Sequence, residues 1–151
     1  MIIAENKRSL YNYKILEKWS AGIKLTGNEV KTVKMGKIDL KGSYIEVIKD
    51  LEHKPEIWLQ NTHISKYSKS GYSQKNYNPL RSRKLLLRQK EINSIYGKIK
   101  QKGLTMIPVL VYISQRLIKV EIALVQGQKK FEKREQIKKR DFEKQKRQLL
   151  K

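Results

Sequence analysis

Cysteine is absent from this 151-residue chain. That absence excludes disulfides, thiolate metal sites and a cysteine nucleophile together, and it fits a reducing cytoplasm. Histidine occurs only as His53 and His63. The two lack the helical partner spacing of zinc ligands, so each reads as a structural or surface residue. No apolar run approaches the roughly 18 residues that a membrane-spanning helix needs, and Met1 to Leu10 lacks the apolar centre of a signal peptide. A soluble, cytoplasmic protein with no membrane partner is expected. Catalytic patterns are missing as well. Gly22 to Gly27 has the glycine spacing of a phosphate loop, but Asn28 and Glu29 follow where Lys and Ser or Thr are required. No serine sits in a nucleophile elbow, and Asp39, Asp50 and Glu91 are scattered. Neither an enzyme nor a cofactor is expected.

Acidic residues are scarce too: 14 Asp and Glu face 35 Lys and Arg, for a net charge of +21. A charge of that size favours a polyanionic partner, nucleic acid more than an anionic membrane. Residues 128–151 form a basic arm that carries +7 of the total. Its apolar residues, Phe131, Ile137, Phe142, Leu149 and Leu150, do not recur at the spacing of a buried helical stripe. The composition predicts a tail that is disordered when free and becomes helical against a polyanion, because Glu, Lys, Gln and Arg are good helix formers. The body, residues 1–127, is long enough for one modest core.

Along the body, Tyr11, Tyr13 and Ile15 alternate as in a half-buried strand, and Ala21 to Leu25 continues the pattern between Gly22 and Gly27. Asn28 reads as a helix cap and Gly36 as the stop, with Lys31, Lys34 and Lys37 on a solvated face. Ser43 to Lys49 and Glu56 to Gln60 read as a hairpin, and Trp19 and Trp58 as core. Asn61 to Asn78 reads as a long exposed loop. Its Tyr67, Tyr72 and Tyr77 either stack on bases or shield a barrel mouth. From Arg81 to Lys102 there are eight basic residues and one acid, with Ile92, Ile95, Tyr96 and Ile99 marking an amphipathic helix. Thr105 to Ile113 and Leu117 to Leu124 form a second hairpin. Several short strands with helical insertions predict a mainly β fold with short helices, a small barrel.

The order of these motifs resembles the small protein B family, the tmRNA-binding proteins of bacterial trans-translation. The resemblance runs through Asn6-Lys7-Arg8, Ala21-Gly22-Ile23, Glu29-Val30-Lys31, Trp58-Leu59, His63-Ile64 and Arg83-Lys84-Leu85-Leu86-Leu87. It continues through Gly103-Leu104-Thr105 into Lys133-Arg134. It implies a closed barrel like the oligonucleotide-binding fold, flanked by helices. The implied partners are the tRNA-like domain of transfer-messenger RNA and the ribosome, at the small-subunit decoding centre and message channel. Elongation factor Tu and alanyl-tRNA synthetase are implied through the shared RNA. The implied task is rescue of stalled ribosomes, with the tail standing in for codon and anticodon.

Carried onto this sequence, the RNA-facing candidates are Asn6, Lys7, Ser20, Arg81, Arg83, Lys84, Leu86, Arg88, Lys129 and Lys130. Leu86 is equally readable as a core leucine. Tail candidates for the ribosome are Glu132, Lys133, Arg134, Lys138, Arg140, Leu149 and Leu150. The chain departs from the family at Ser20, where Glu is usual, and at Arg88, where His or Asn is usual. Gln126 and Gln128 replace lysines, and Glu132 replaces Asp. A ribosomal or assembly protein holding rRNA by charge alone is the rival reading, and a duplex-DNA architectural protein a further one.

Overall fold

The computed structural model describes residues 1–68, 75–127 and 138–146. Among the described residues of the body, nine strands and three helices follow in the order β1 (Ile2–Glu5), α1 (Lys7–Asn12), β2 (Tyr13–Ile23), α2 (Gly27–Lys34), β3 (Ile38–Asp39), β4 (Tyr44–Ile48), β5 (Glu56–Gln60), β6 (His63–Ile64), β7 (Arg83–Leu86), α3 (Gln89–Lys98), β8 (Leu104–Ser114) and β9 (Leu117–Gly127). Residues 138–146 form a further helix, α4.

Strands β8, β4, β5, β7, β2 and β9 follow one another around a sheet that closes when β9 pairs back onto β8. The ring is antiparallel throughout. One edge of β8 is taken by β9 along its length, while β4 at Met106 and β1 at Leu110–Tyr112 share the other. A closed ring leaves no long strand edge bare, the usual solution for a small β-barrel. This is the predicted fold class, a mainly β, oligonucleotide-binding-type barrel flanked by helices.

The barrel is filled by alternate residues of its strands. Ala21, Ile45, Ile57, Leu59, Leu85, Met106, Val111, Val120 and Ile122 are buried, joined by Val33 of α2 and Ile95 of α3. A smaller cluster, Ile107, Val109, Ala123 and Val125, lies under Leu10 of α1 and Tyr13. That is why β8 is buried at four consecutive positions, Met106 to Val109. Pro108 cannot donate to the ladder, and the β8–β9 register shifts between Pro108 and Leu110.

The two expected hairpins are present. The β8–β9 turn runs through Gln115 and Arg116, both at positive φ (50° and 68°), which matches the twist of a tight hairpin. Other expectations are corrected. The alternating run at Tyr11 is the end of α1, and Tyr13–Ile23 is a single strand with Gly22 inside it. The cap of α2 is Thr26, not Asn28. Thr26 and Glu29 form a reciprocal capping box, each side chain engaging the other's backbone N–H at 3.2 and 3.0 Å. Gly36 ends that helix region at φ 80°, as predicted. Trp19 and Trp58 are only partly buried, with Ile57 and Leu59 filling the barrel on either side of Trp58. The stretch after Asn61 contains β6, which pairs with β3. Arg83–Leu86 is a barrel strand, β7.

Candidate nucleic-acid interface

Glu29 is the first residue from which a site can be built. The capping box fixes its backbone, and its carboxylate is fully enclosed. Two arginines from the 81–83 stretch converge on it. Arg83 donates from Nε at 2.9 Å, and Arg81 donates from Nε at 3.2 Å and from Nη2 to the other oxygen. Arg83 spends its remaining donors on Thr62 O at 2.5 Å, Pro79 O at 3.0 Å and the Tyr77 hydroxyl at 3.0 Å. Burial alone raises the Glu29 carboxyl; the hydrogen bonds from Arg81, the Thr26 amide and Arg83 overcome it and hold the group at about 2. Tyr77 is pushed up, first by burial and then by the Glu29 charge.

This cluster corrects the expectation for Arg83. Its side chain is 0% exposed, so it clamps α2 to β7 and the 77–82 loop instead of facing solvent. Tyr77 turns inward to the same cluster, with its hydroxyl 2.8 Å from Ile64 O. Asn6 is corrected likewise. It is buried, donating from Nδ2 to Pro108 O at 2.9 Å and from its amide to Val109 O at 2.8 Å. It thus satisfies the carbonyls at the proline bulge.

The remaining body candidates face outward. On β7, Lys84 and Leu86 lie on the outer side, and Leu86 is 52% exposed, which sets the core reading aside. Leu86 sits opposite Gly22 of β2, and Ser20, two residues along the same face, is exposed and bonded to the Tyr112 hydroxyl. Arg88 is exposed at the N-cap of α3, with no side-chain cap bond. Lys119 of β9 pairs with Gly22 and Tyr112, continuing the strip. Lys7 is exposed on α1, 4.0 Å from Glu5. Lys129, Lys130, Glu132, Lys133, Arg134, Leu149, Leu150 and Tyr72 lie outside the described residues. Lys138 and Arg140 lie on exposed α4, and the Arg140 guanidinium stands 4.8 Å over the Tyr11 ring.

Among the described residues, two hollows of the surface bear on the site. The larger, about 700 Å³, is lined by Lys49, Asp50, Leu51, Glu52 and Tyr96, so its field is of mixed sign. The smaller, about 290 Å³, adjoins the strip and is lined by Lys24, Leu25, Thr26, Trp58, Arg81 and Lys84. Among the described residues no group of three His, Asp or Glu is arranged to hold a metal, and no helix is long and apolar enough to cross a membrane. His53 and His63 are both exposed, His53 paired to Asp50 at 2.7 Å.

A closed barrel with a cationic outer strip, a half-exposed leucine at its middle and a basic extension defines a nucleic-acid-binding protein. The family model described as SmpB protein matches residues 3–151, and the chain belongs to that family. An SsrA-binding protein of Anaplasma phagocytophilum is 47% identical over 151 residues, covering 99% of this chain and 97% of the relative. An SsrA-binding protein of Trichodesmium erythraeum is 44% identical over 140 residues, covering 93% and 86%. A solved chain from work on tmRNA-SmpB at the centre of the bacterial ribosome has 41% identity and a TM-score of 0.65, covering 84% of this chain and 85% of that one.

Sequence reasoning missed Glu29 as the hub of the 81–83 stretch. The signal available was the Thr26-x-x-Glu29 spacing, which marks both a helix start and a fixed carboxylate.

Proposed function

We propose that this protein binds the tRNA-like domain of transfer-messenger RNA and delivers it to stalled ribosomes in the bacterial cytoplasm. It acts as a binding protein and not as an enzyme. The observation that carries the reading is the outer strip of Ser20, Lys84, Leu86 and Arg88 on a barrel matched by SmpB chains along nearly its whole length. Cations there neutralise phosphates and release counterions, and the projecting leucine offers an apolar platform to an unstacked base. The extension from residue 128 onward adds +7. It is suited to a second, rRNA-lined site, the decoding centre and empty message channel, where it takes helical form. Elongation factor Tu and alanyl-tRNA synthetase meet the protein through the shared RNA.

Competition binding at moderate salt tests the reading. The tRNA-like domain should displace both duplex DNA and an unrelated structured RNA. Equal affinity for all three would mean that net charge alone drives binding, as for a general rRNA-binding protein.

A further inference from the structure

The hollow of about 290 Å³ beside the strip combines three cations with one indole. It is at the small end of ligand pockets, which run from about 300 to 1,000 Å³. Its walls are fixed by the barrel. Trp58 and Lys84 are paired residues of β5 and β7, so their side chains leave the sheet together. The Lys24 amide donates to Lys84 O at 2.9 Å, which ties the end of β2 to the same place. Glu56 accepts from Trp58 Nε1 at 3.0 Å and lies 3.5 Å from Lys84 Nζ, so the indole plane is held.

The charge balance is also built. Glu29 faces two arginines, and because the buried Arg83 satisfies it as well, Arg81 retains positive charge toward the hollow. Lys24, Lys84, Arg81 and Arg83 against Glu29 and Glu56 leave a local excess of two positive charges. Arg81 is 35% exposed and held from behind, so it presents its charge without losing side-chain freedom on binding. Thr26, the N-cap of α2, brings the positive end of that helix to the same wall.

We propose that this hollow is a single-nucleotide subsite, in which Lys24, Arg81 and Lys84 hold a phosphodiester and Trp58 stacks on the attached base or ribose. The occupant is a nucleotide of a structured RNA. The subsite rests on the RNA-binding function above and adds a contact two strands away from Ser20 and one residue pair along β7 from Leu86. Stacking on an aromatic face tolerates any base, whereas the three cations require an anionic linkage, so the subsite reads backbone position and not sequence.

The test is intrinsic fluorescence of the full chain titrated with the tRNA-like domain and, separately, with millimolar AMP. RNA should quench the Trp58 emission. Trp58→Leu should remove that component, leaving Trp19, and weaken RNA binding about tenfold. Lys24→Gln, at an exposed position, should lower the log–log salt slope by about one. Quenching by AMP as well would show that the subsite takes a free nucleotide; quenching by RNA alone would assign it to the polymer. Unchanged affinity and salt slope in both variants, with the preference for the tRNA-like domain intact, would overturn the subsite and leave the function standing. Loss of that preference in the unaltered protein would instead remove the function beneath it.

Discussion

Leu86 stands directly over Gly22: a Cβ placed on Gly22 would lie 3.3 Å from the Leu86 Cβ. The glycine lets an exposed leucine lie close against the sheet, fixing its direction without burying it. Leu86→Ala should therefore change stability by no more than about 0.5 kcal/mol, as at other surface positions, and weaken RNA binding by at least about 1 kcal/mol. Gly22→Ala should lean Leu86 outward and give part of the same loss in affinity. A thermal melt showing the roughly 2–5 kcal/mol penalty of a core leucine deletion would refute this placement.

Arg88 occupies an N-cap where its side chain makes no cap bond. Arg88→Asn should gain about 1 kcal/mol from capping, a rise in Tm of roughly 2–4 °C for a chain of this size. If Arg88 contacts RNA as proposed, the same change should weaken RNA binding by removing an exposed positive charge. Calorimetry and a salt titration on one variant would separate the two effects, and a variant that gained neither stability nor lost affinity would contradict both assignments.

Because the Glu29 carboxyl is lowered to about 2 from its ordinary value of 4.5, its ion cluster stabilises the fold fully above pH 4.5. That stability is lost as the pH falls from 4.5 toward 2, and about 3 kcal/mol is at stake. Glu29→Gln should flatten the acid limb of a urea-midpoint profile. It should also cost roughly 3–5 kcal/mol at neutral pH, because Arg83 is left buried without its counter-charge.

Two neighbouring cations should behave oppositely. Arg83→Lys cannot reproduce four fork-directed bonds from one ammonium, so it should lower stability by about 2 kcal/mol or more and leave the RNA salt slope of the folded protein unchanged. Lys84→Ala should leave the Tm nearly unchanged and lower that slope by about one. The pair of titrations fails its purpose only if both variants move the same quantity.

Removing residues 128–151 should preserve most of the affinity for the tRNA-like domain and abolish tagging of stalled chains. Continued tagging by the truncated protein would remove the tail from the decoding centre.

The barrel was legible where periodicity or turn chemistry stood alone. Thr105 to Leu124 reads as a hairpin because β-branched residues flank a short polar break, and the structure folds it so. Strand β7 was hidden because one of its two inward residues is Arg83, whose burial depends on Glu29, 54 residues away. No local pattern announces a partner at that distance. Asn6 was hidden for a similar reason, since its amide serves a proline bulge 102 residues downstream. The run at Tyr11 misled because helix α1 spans only six residues, too few to establish a period of 3.6. At the site, the stretch from Arg81 to Arg88 was singled out as a unit, but charge counting could not tell the buried Arg83 from its outward-facing neighbours.

Closure of the barrel also sets a schedule for its making. Strand β2 pairs along most of its length with β9, and the pairs run from Tyr13 with Gly127 to Gly22 with Lys119. A chain emerging amino-terminus first finds β7 for the end of β2 but leaves the other edge of β2 open until almost the whole body has been translated. A copy cut off between β8 and β9 carries naked edges on β2 and β8, open to proteases and to pairing with other chains. An interrupted message for this protein therefore yields a body whose ring is still open.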